Sequence, residues 1–135
     1  MSDSLNVAKS EIGDLSYDEP NRILHIKLHD WADMNVQNTR RHYKIINELT
    51  KGQHYYALID AEKYFSFENT AFQITTQREV LGNRLASAHY NSNFANRLNV
   101  IIYNSAFSPP IPVRYFNSKG EALSWILELK NKGMK

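Results

Sequence analysis

Apolar and polar residues alternate along Arg22-Ile23-Leu24-His25-Ile26-Lys27-Leu28-His29, with Leu24, Ile26 and Leu28 on one side and His25, Lys27 and His29 on the other. A period of two over this length predicts a half-buried strand. Glu11 to Tyr17 reads as a weaker first strand. Asp18-Glu19-Pro20-Asn21 reads as the turn joining the two into a hairpin, with proline presetting φ and the Asp and Asn side chains able to bond nearby backbone. Residues 1–10 are polar and read as a flexible N-terminal segment.

Beyond Trp31 and Asp33 the period lengthens. Asn35 can cap a helix in which Val36, Tyr43, Ile46 and Leu49 recur at helical spacing, and Lys51-Gly52 ends it. Tyr55 to Asp60 is apolar on both sides, as a central strand covered by helices requires. Ser66 is placed to cap a second helix, Phe67 to Leu81, with Phe67, Ala71, Ile74 and Leu81 in one stripe and Gly82-Asn83 as its stop. Arg84 to Tyr90 is a further strand, with Ala86 and Ala88 small enough for close helix approach. Ser92 or Asn93 opens a segment carrying Phe94, Leu98, Ile101, Ile102 and Ser105 on one side. Within it, Val100 to Tyr103 suits helix and strand alike.

After three prolines, Val113 to Phe116 forms the last strand. Ser118-Lys119-Gly120-Glu121 then fits a capping box, followed by the stripe Ala122, Trp125, Ile126, Leu129. The order ββαβαβαβα predicts an α/β fold: a mixed, mainly parallel five-stranded sheet covered chiefly on one face by about four helices, with residues 11–135 as a single domain.

Three stretches carry a family resemblance. They are Ala57-Leu58-Ile59-Asp60-Ala61, Leu85-Ala86-Ser87-Ala88-His89-Tyr90, and Pro110-Ile111-Pro112-Val113-Arg114-Tyr115-Phe116 leading to Glu121-Ala122-Leu123-Ser124-Trp125-Ile126. Together with the element order over residues 11–130, the chain resembles STAS-like domains related to the anti-sigma-factor antagonist of sporulating bacteria. It is similar above all to small single-domain bacterial proteins of that fold. The resemblance implies a regulatory role through protein contact. Those antagonists carry a phosphorylatable serine in an Asp-Ser-Ser-Gly-like turn, whereas the corresponding stretch here is Ile59-Asp60-Ala61-Glu62-Lys63-Tyr64-Phe65-Ser66-Phe67-Glu68. It lacks the double serine and the glycine, so Ser66 reads first as a helix cap.

Composition narrows the chemistry. The 135 residues contain no cysteine, which removes disulfides, thiolate metal sites and cysteine nucleophiles. Sixteen basic and fourteen acidic side chains give a net charge of +2 with no dense cationic cluster, so nucleic acid is not an expected partner. No apolar run nears the roughly 20 residues of a membrane helix, and the first ten residues lack the apolar stretch of a secretory signal. A cytoplasmic protein without membrane insertion is expected, and no cofactor motif is visible.

His25 and His29 have H-x-x-x-H spacing, but on a strand they lie roughly 13 Å apart, too far to share a metal. His54 and His89 stand alone beside tyrosines. Asp60, Glu62 and Glu68 form the one acidic cluster near a strand end, and no phosphate-cradling glycine motif occurs. Two surfaces remain for a protein partner or for self-association. One is the open sheet face with His25, Lys27 and His29; the other is the group Tyr64, Phe65, Ser66, Phe67 and Glu68, whose three aromatics exceed the needs of a cap. The expected function is a non-enzymatic regulatory interaction domain. The alternative is a carrier of a small apolar, lipid-like ligand, its pocket formed by Phe94, Leu98, Tyr103 and Phe107. A third reading, a hydrolase or transferase, would use His89 or Asp60.

Overall fold

The computed structural model describes residues 6–63 and 65–133. Four strands come first: β1 (Asn6–Lys9), β2 (Gly13–Asp18), β3 (Ile23–Leu28) and β4 (Ala32–Met34). Helix α1 (Val36–Leu49), strand β5 (Tyr55–Asp60), strand β6 (Phe65–Phe67) and helices α2 (Asn69–Ile74) and α3 (Arg78–Leu81) follow. The chain ends with β7 (Arg84–Tyr90), α4 (Phe94–Ile102) running into a π-helical turn (Tyr103–Phe107), β8 (Val113–Tyr115) and α5 (Lys119–Asn131).

The fold is α/β with a mixed sheet, as the alternating elements predict, but the sheet has six strands instead of five, in the order β1-β2-β3-β5-β7-β8. Strands β1, β2 and β3 are joined antiparallel, and β3, β5, β7 and β8 run parallel. The sixth strand comes from the segment expected to be flexible. Asn6–Lys9 pairs with β2 from Asn6 opposite Tyr17 to Lys9 opposite Asp14.

The predicted helix over 67–81 is also corrected. Phe65-Ser66-Phe67 alternates aromatic and polar, and it forms a short strand parallel to β4 in a separate two-stranded sheet. Glu68, not Ser66, occupies the N-cap of α2 and makes no side-chain capping bond. The helix then breaks at Thr75, whose hydroxyl turns back to the Phe72 carbonyl at 2.6 Å, the local competition that makes threonine a poor interior helix residue. The ambiguous stretch 100–103 is helical. It is opened by Asn93, whose Oδ1 accepts the Asn96 N–H at 2.9 Å.

The remaining caps follow the sequence closely. Asn35 and Asn38 exchange side-chain and backbone bonds at 2.8 and 2.9 Å to start α1. At α5, Ser118 Oγ accepts the Glu121 N–H at 3.2 Å, while Glu121 reaches the N–H of Asn117, one residue earlier than a standard box.

Helices cover the sheet unequally. Leu15, Leu24, Ile26, Tyr55, Ala57, Ile59 and Val113 meet α1 through α4 on one face. On the other, only α5 packs among the described residues, placing Ala122, Trp125 and Ile126 on Ile23, Leu58, Ala86 and Ala88. Small residues at 86 and 88 permit that approach, and His25 and Lys27 lie in a groove beside the start of α5.

Gly82 ends α3 at φ +64° and ψ −131°, a region that residues with a Cβ avoid. A Cβ there would also run into the Asn47 side chain of α1. Gly82→Ala is expected to destabilise the fold by about 1–3 kcal/mol, read as a lower urea midpoint with an unchanged slope.

Candidate functional site

A cavity of about 100 Å³ lies between the heavily covered sheet face and the helices above it. Ile26, Ile59 and Val113 form its floor, and Phe72, Val100 and Tyr103 its roof. The aromatics are fixed by one another. Phe72 stacks on Phe67 with ring centroids 3.5 Å apart and meets Tyr103 and Phe107 edge-on at 4.9 and 5.7 Å. The π-helical turn brings Tyr103 and Phe107 together against Phe72, and Tyr103 Oη is anchored on the Thr75 hydroxyl at 2.7 Å. The wall residues that keep some exposure are Met34, Phe65, His89 and Asn99. They lie at or after the C-terminal ends of the parallel strands, where α/β folds place their ligands.

Arg84 enters this cavity through an irregularity in strand pairing. Tyr55 pairs with Arg84, but the next residue, Tyr56, pairs with Ala86, leaving Leu85 without a partner. Such a bulge flips the alternation. Without it, Arg84 would share the α5 side with Ala86 and Ala88. With it, the side chain joins Tyr55, Ser87 and His89 on the opposite face and is only 3 % exposed.

The guanidinium has no carboxylate partner among the described residues. Its Nε donates to Tyr55 Oη at 3.2 Å and its Nη1 to Ser87 Oγ at 3.1 Å, while Nη2 has no hydrogen-bond partner among the described residues. The Tyr43 and Tyr55 rings lie 4.9 and 5.6 Å from it. A buried unpaired charge costs several kcal/mol, and a desolvated cation–π contact returns on the order of 2. The site therefore keeps an unmet demand for negative charge.

Two histidines share the wall. Burial first, then the Arg84 charge and more distant His29, push His42 down to about 3. Burial and Arg84 push His89 down to about 4. Ser10 Oγ accepts the N–H groups of Ile12 and Gly13 at 3.0 and 3.1 Å and lies 2.7 Å from His42 Nδ1. The same hydroxyl lies 3.4 Å from the Gly13 carbonyl oxygen.

The residues singled out from the sequence are dispersed. His25 and Lys27 face the open side in a shallow groove with Asp14, Asp60 and Lys119. Burial and Lys119 lower the His25 pKa. His29 sits past the end of β3 with Nε2 2.9 Å from Asp14 Oδ1, and its hydrogen bond is the main cause holding the Asp14 carboxyl below its usual range. Among the described residues no trio of His, Asp or Glu is placed to hold a metal.

Tyr64 lies outside the described residues. Phe65 and Phe67 are half-buried against the core, Ser66 is exposed with its hydroxyl on Asp33 Oδ1 at 2.9 Å, and Glu68 caps α2. Of the four residues expected to line a ligand pocket, Tyr103 lines the cavity and Phe107 packs half-buried against the core. Phe94 and Leu98 are on the outside of α4, 77 % and 40 % exposed. His54 is exposed, and His89 and Asp60 face opposite sides of the sheet. Sequence reasoning missed Arg84 and His42. The available signal was a single cation opening a strand of otherwise small, apolar and neutral residues.

Both wall histidines are neutral in the fold at pH values where free histidine takes a proton, so the unfolded chain binds more protons as pH falls. Stability is full above the ordinary value of 6.5 and is lost below it, by up to about 1.4 kcal/mol per pH unit for His42. Urea midpoints are expected to hold steady from pH 8 to 7 and to fall between pH 6.5 and 5, above the carboxylate range. His42→Gln should flatten that decline; an unchanged slope would show that His42 is not its source.

No curated protein and no solved structure matches the chain. Residues 17–130 match the family described as Domain of unknown function (DUF7793), a span that includes every strand and helix from Tyr17 onward that walls the cavity. The chain belongs to the DUF7793 family.

Proposed function

We propose that this domain is a non-enzymatic binding module that takes a small, largely apolar molecule into the cavity between sheet and helices. The observation that carries this reading is the cavity itself. Protein interiors close around their own side chains and leave few voids larger than a water molecule, yet here about 100 Å³ stays open behind a wall of aromatic and aliphatic groups. An apolar cavity of roughly 150 Å³ takes up benzene or xenon, so an occupant on the order of six heavy atoms is the appropriate scale. A STAS-like identity is supported by the order β2-β3-β5-β7-β8, an antiparallel pair followed by parallel strands with helices between them. A phosphoserine switch forms no part of the proposal, because a phosphate on Ser66 would meet the Asp33 carboxylate.

Xenon and short-chain alcohols are expected to shift the methyl resonances of Ile26, Ile59 and Val100 in the folded protein. Val100→Phe, which puts a ring into the void, should abolish those shifts at a stability cost of about 1–3 kcal/mol. Absence of any shift in the wild type would end the ligand reading.

One observation favours protein contact as a second reading. Helix α4 presents Phe94, Leu98, Ile101 and Ile102 outward, between 40 % and 77 % exposed and with no charge among them. A contiguous apolar stripe of this kind marks interaction surfaces. If copies of the chain meet there, light scattering will show a dimer that Leu98→Lys dissociates. A monomer up to high micromolar concentration would dismiss self-association.

A further inference from the structure

The cavity has an electrical polarity that an occupant bound by apolar contact alone would not use. Among the described residues, Arg84 is the one member of its wall charged at neutral pH: none of the others is an aspartate, glutamate or lysine, and burial beside the cation keeps His42 and His89 neutral. Arginine does not shed its proton inside proteins. Two of its nitrogens are spent on neutral hydroxyls, and Nη2 is unpartnered in a side chain that is 3 % exposed.

We infer that the cavity takes a small monocarboxylate, its head on Arg84 and its short aliphatic body against Ile26, Ile59 and Val100, an inference that rests on the ligand-cavity reading above. Two features select this chemistry. A guanidinium offers N–H donors in a planar fork that fits a carboxylate. The single cation balances one negative charge, whereas a phosphate, carrying closer to two charges at neutral pH, needs a second cation or a helix N-terminus aimed at it. The volume limits the body to a chain of about three or four carbons on the scale of known small-molecule cavities.

Butyrate and its neutral isostere butyramide test this on the full chain. Calorimetry should show butyrate binding at least tenfold more tightly than butyramide, and butyrate should move the side-chain Nε–H resonance of Arg84. Arg84→Gln should erase the preference while xenon still enters. If that variant does not fold, Arg84→Lys, which keeps the cation and loses the fork, should weaken butyrate and leave butyramide unchanged, and the wild-type ratio decides in any case. Equal or tighter binding of butyramide overturns the inference, as does tighter binding of inorganic phosphate. Failure of both acid and amide while xenon still shifts the cavity methyls overturns the carboxylate and leaves the cavity reading standing. Exclusion of xenon as well overturns both.

Discussion

Strand β5 has no solvent side. Tyr55, Tyr56, Ala57, Leu58 and Ile59 are all at most 6 % exposed, and each backbone group of such a strand must be satisfied by neighbours while both sets of side chains are covered. That requirement places β3 and β7 parallel on either side, α1 through α4 over the odd-numbered residues and α5 over the even-numbered ones. The rest of the molecule is arranged around it. The antiparallel strands β1 and β2 extend the sheet beyond β3, where a groove with His25 and Lys27 opens beside Lys119 at the start of α5.

The two faces solve the covering problem differently. Alanines at 86 and 88 let α5 sit close and leave a tight contact. On the other face, α1 through α4 and a π-helical turn bridge a wider surface with aromatic side chains that brace one another. Large rings set at fixed angles cannot close every gap, and the cavity is what remains. A cation held in that gap without a counterion is unfavourable for the empty fold. Stability given up in an interior in this way commonly accompanies binding, because an incoming ligand can supply the missing partner.

The framework was legible in the residues to a large degree. Alternation at 24, 26 and 28, the two-sided apolar run of β5 and the Asn35, Asn93 and Ser118 caps all rest on local rules that tertiary packing did not override. The failures were also local in origin. Phe65-Ser66-Phe67 is too short to reveal its period of two, and its pairing with β4 depends on a segment about thirty residues earlier. Strand β1 is a four-residue edge with one large apolar side chain, Val7, and that side chain is 65 % exposed, so its pattern is indistinguishable from a polar tail. The cavity was foreseeable only as an apolar space. His42 falls on the buried stripe of α1 beside Tyr43, where a polar residue draws little attention, and Arg84 has the wrong parity for the face it occupies.

That parity turns on Leu85, the unmatched residue in the β5–β7 ladder. Its side chain packs on the α5 side while its backbone contributes one extra step. The chemical character of the interior is thus encoded by a count as well as by residue types. A regularly paired Leu85 would direct the cation at Ala122 and Trp125 and leave the other chamber without that charge, whereas loss of Leu85 would restore simple alternation with the arginine still on the cavity side. How the ladder absorbs that one step, and not the residue types alone, therefore decides which face receives the charge.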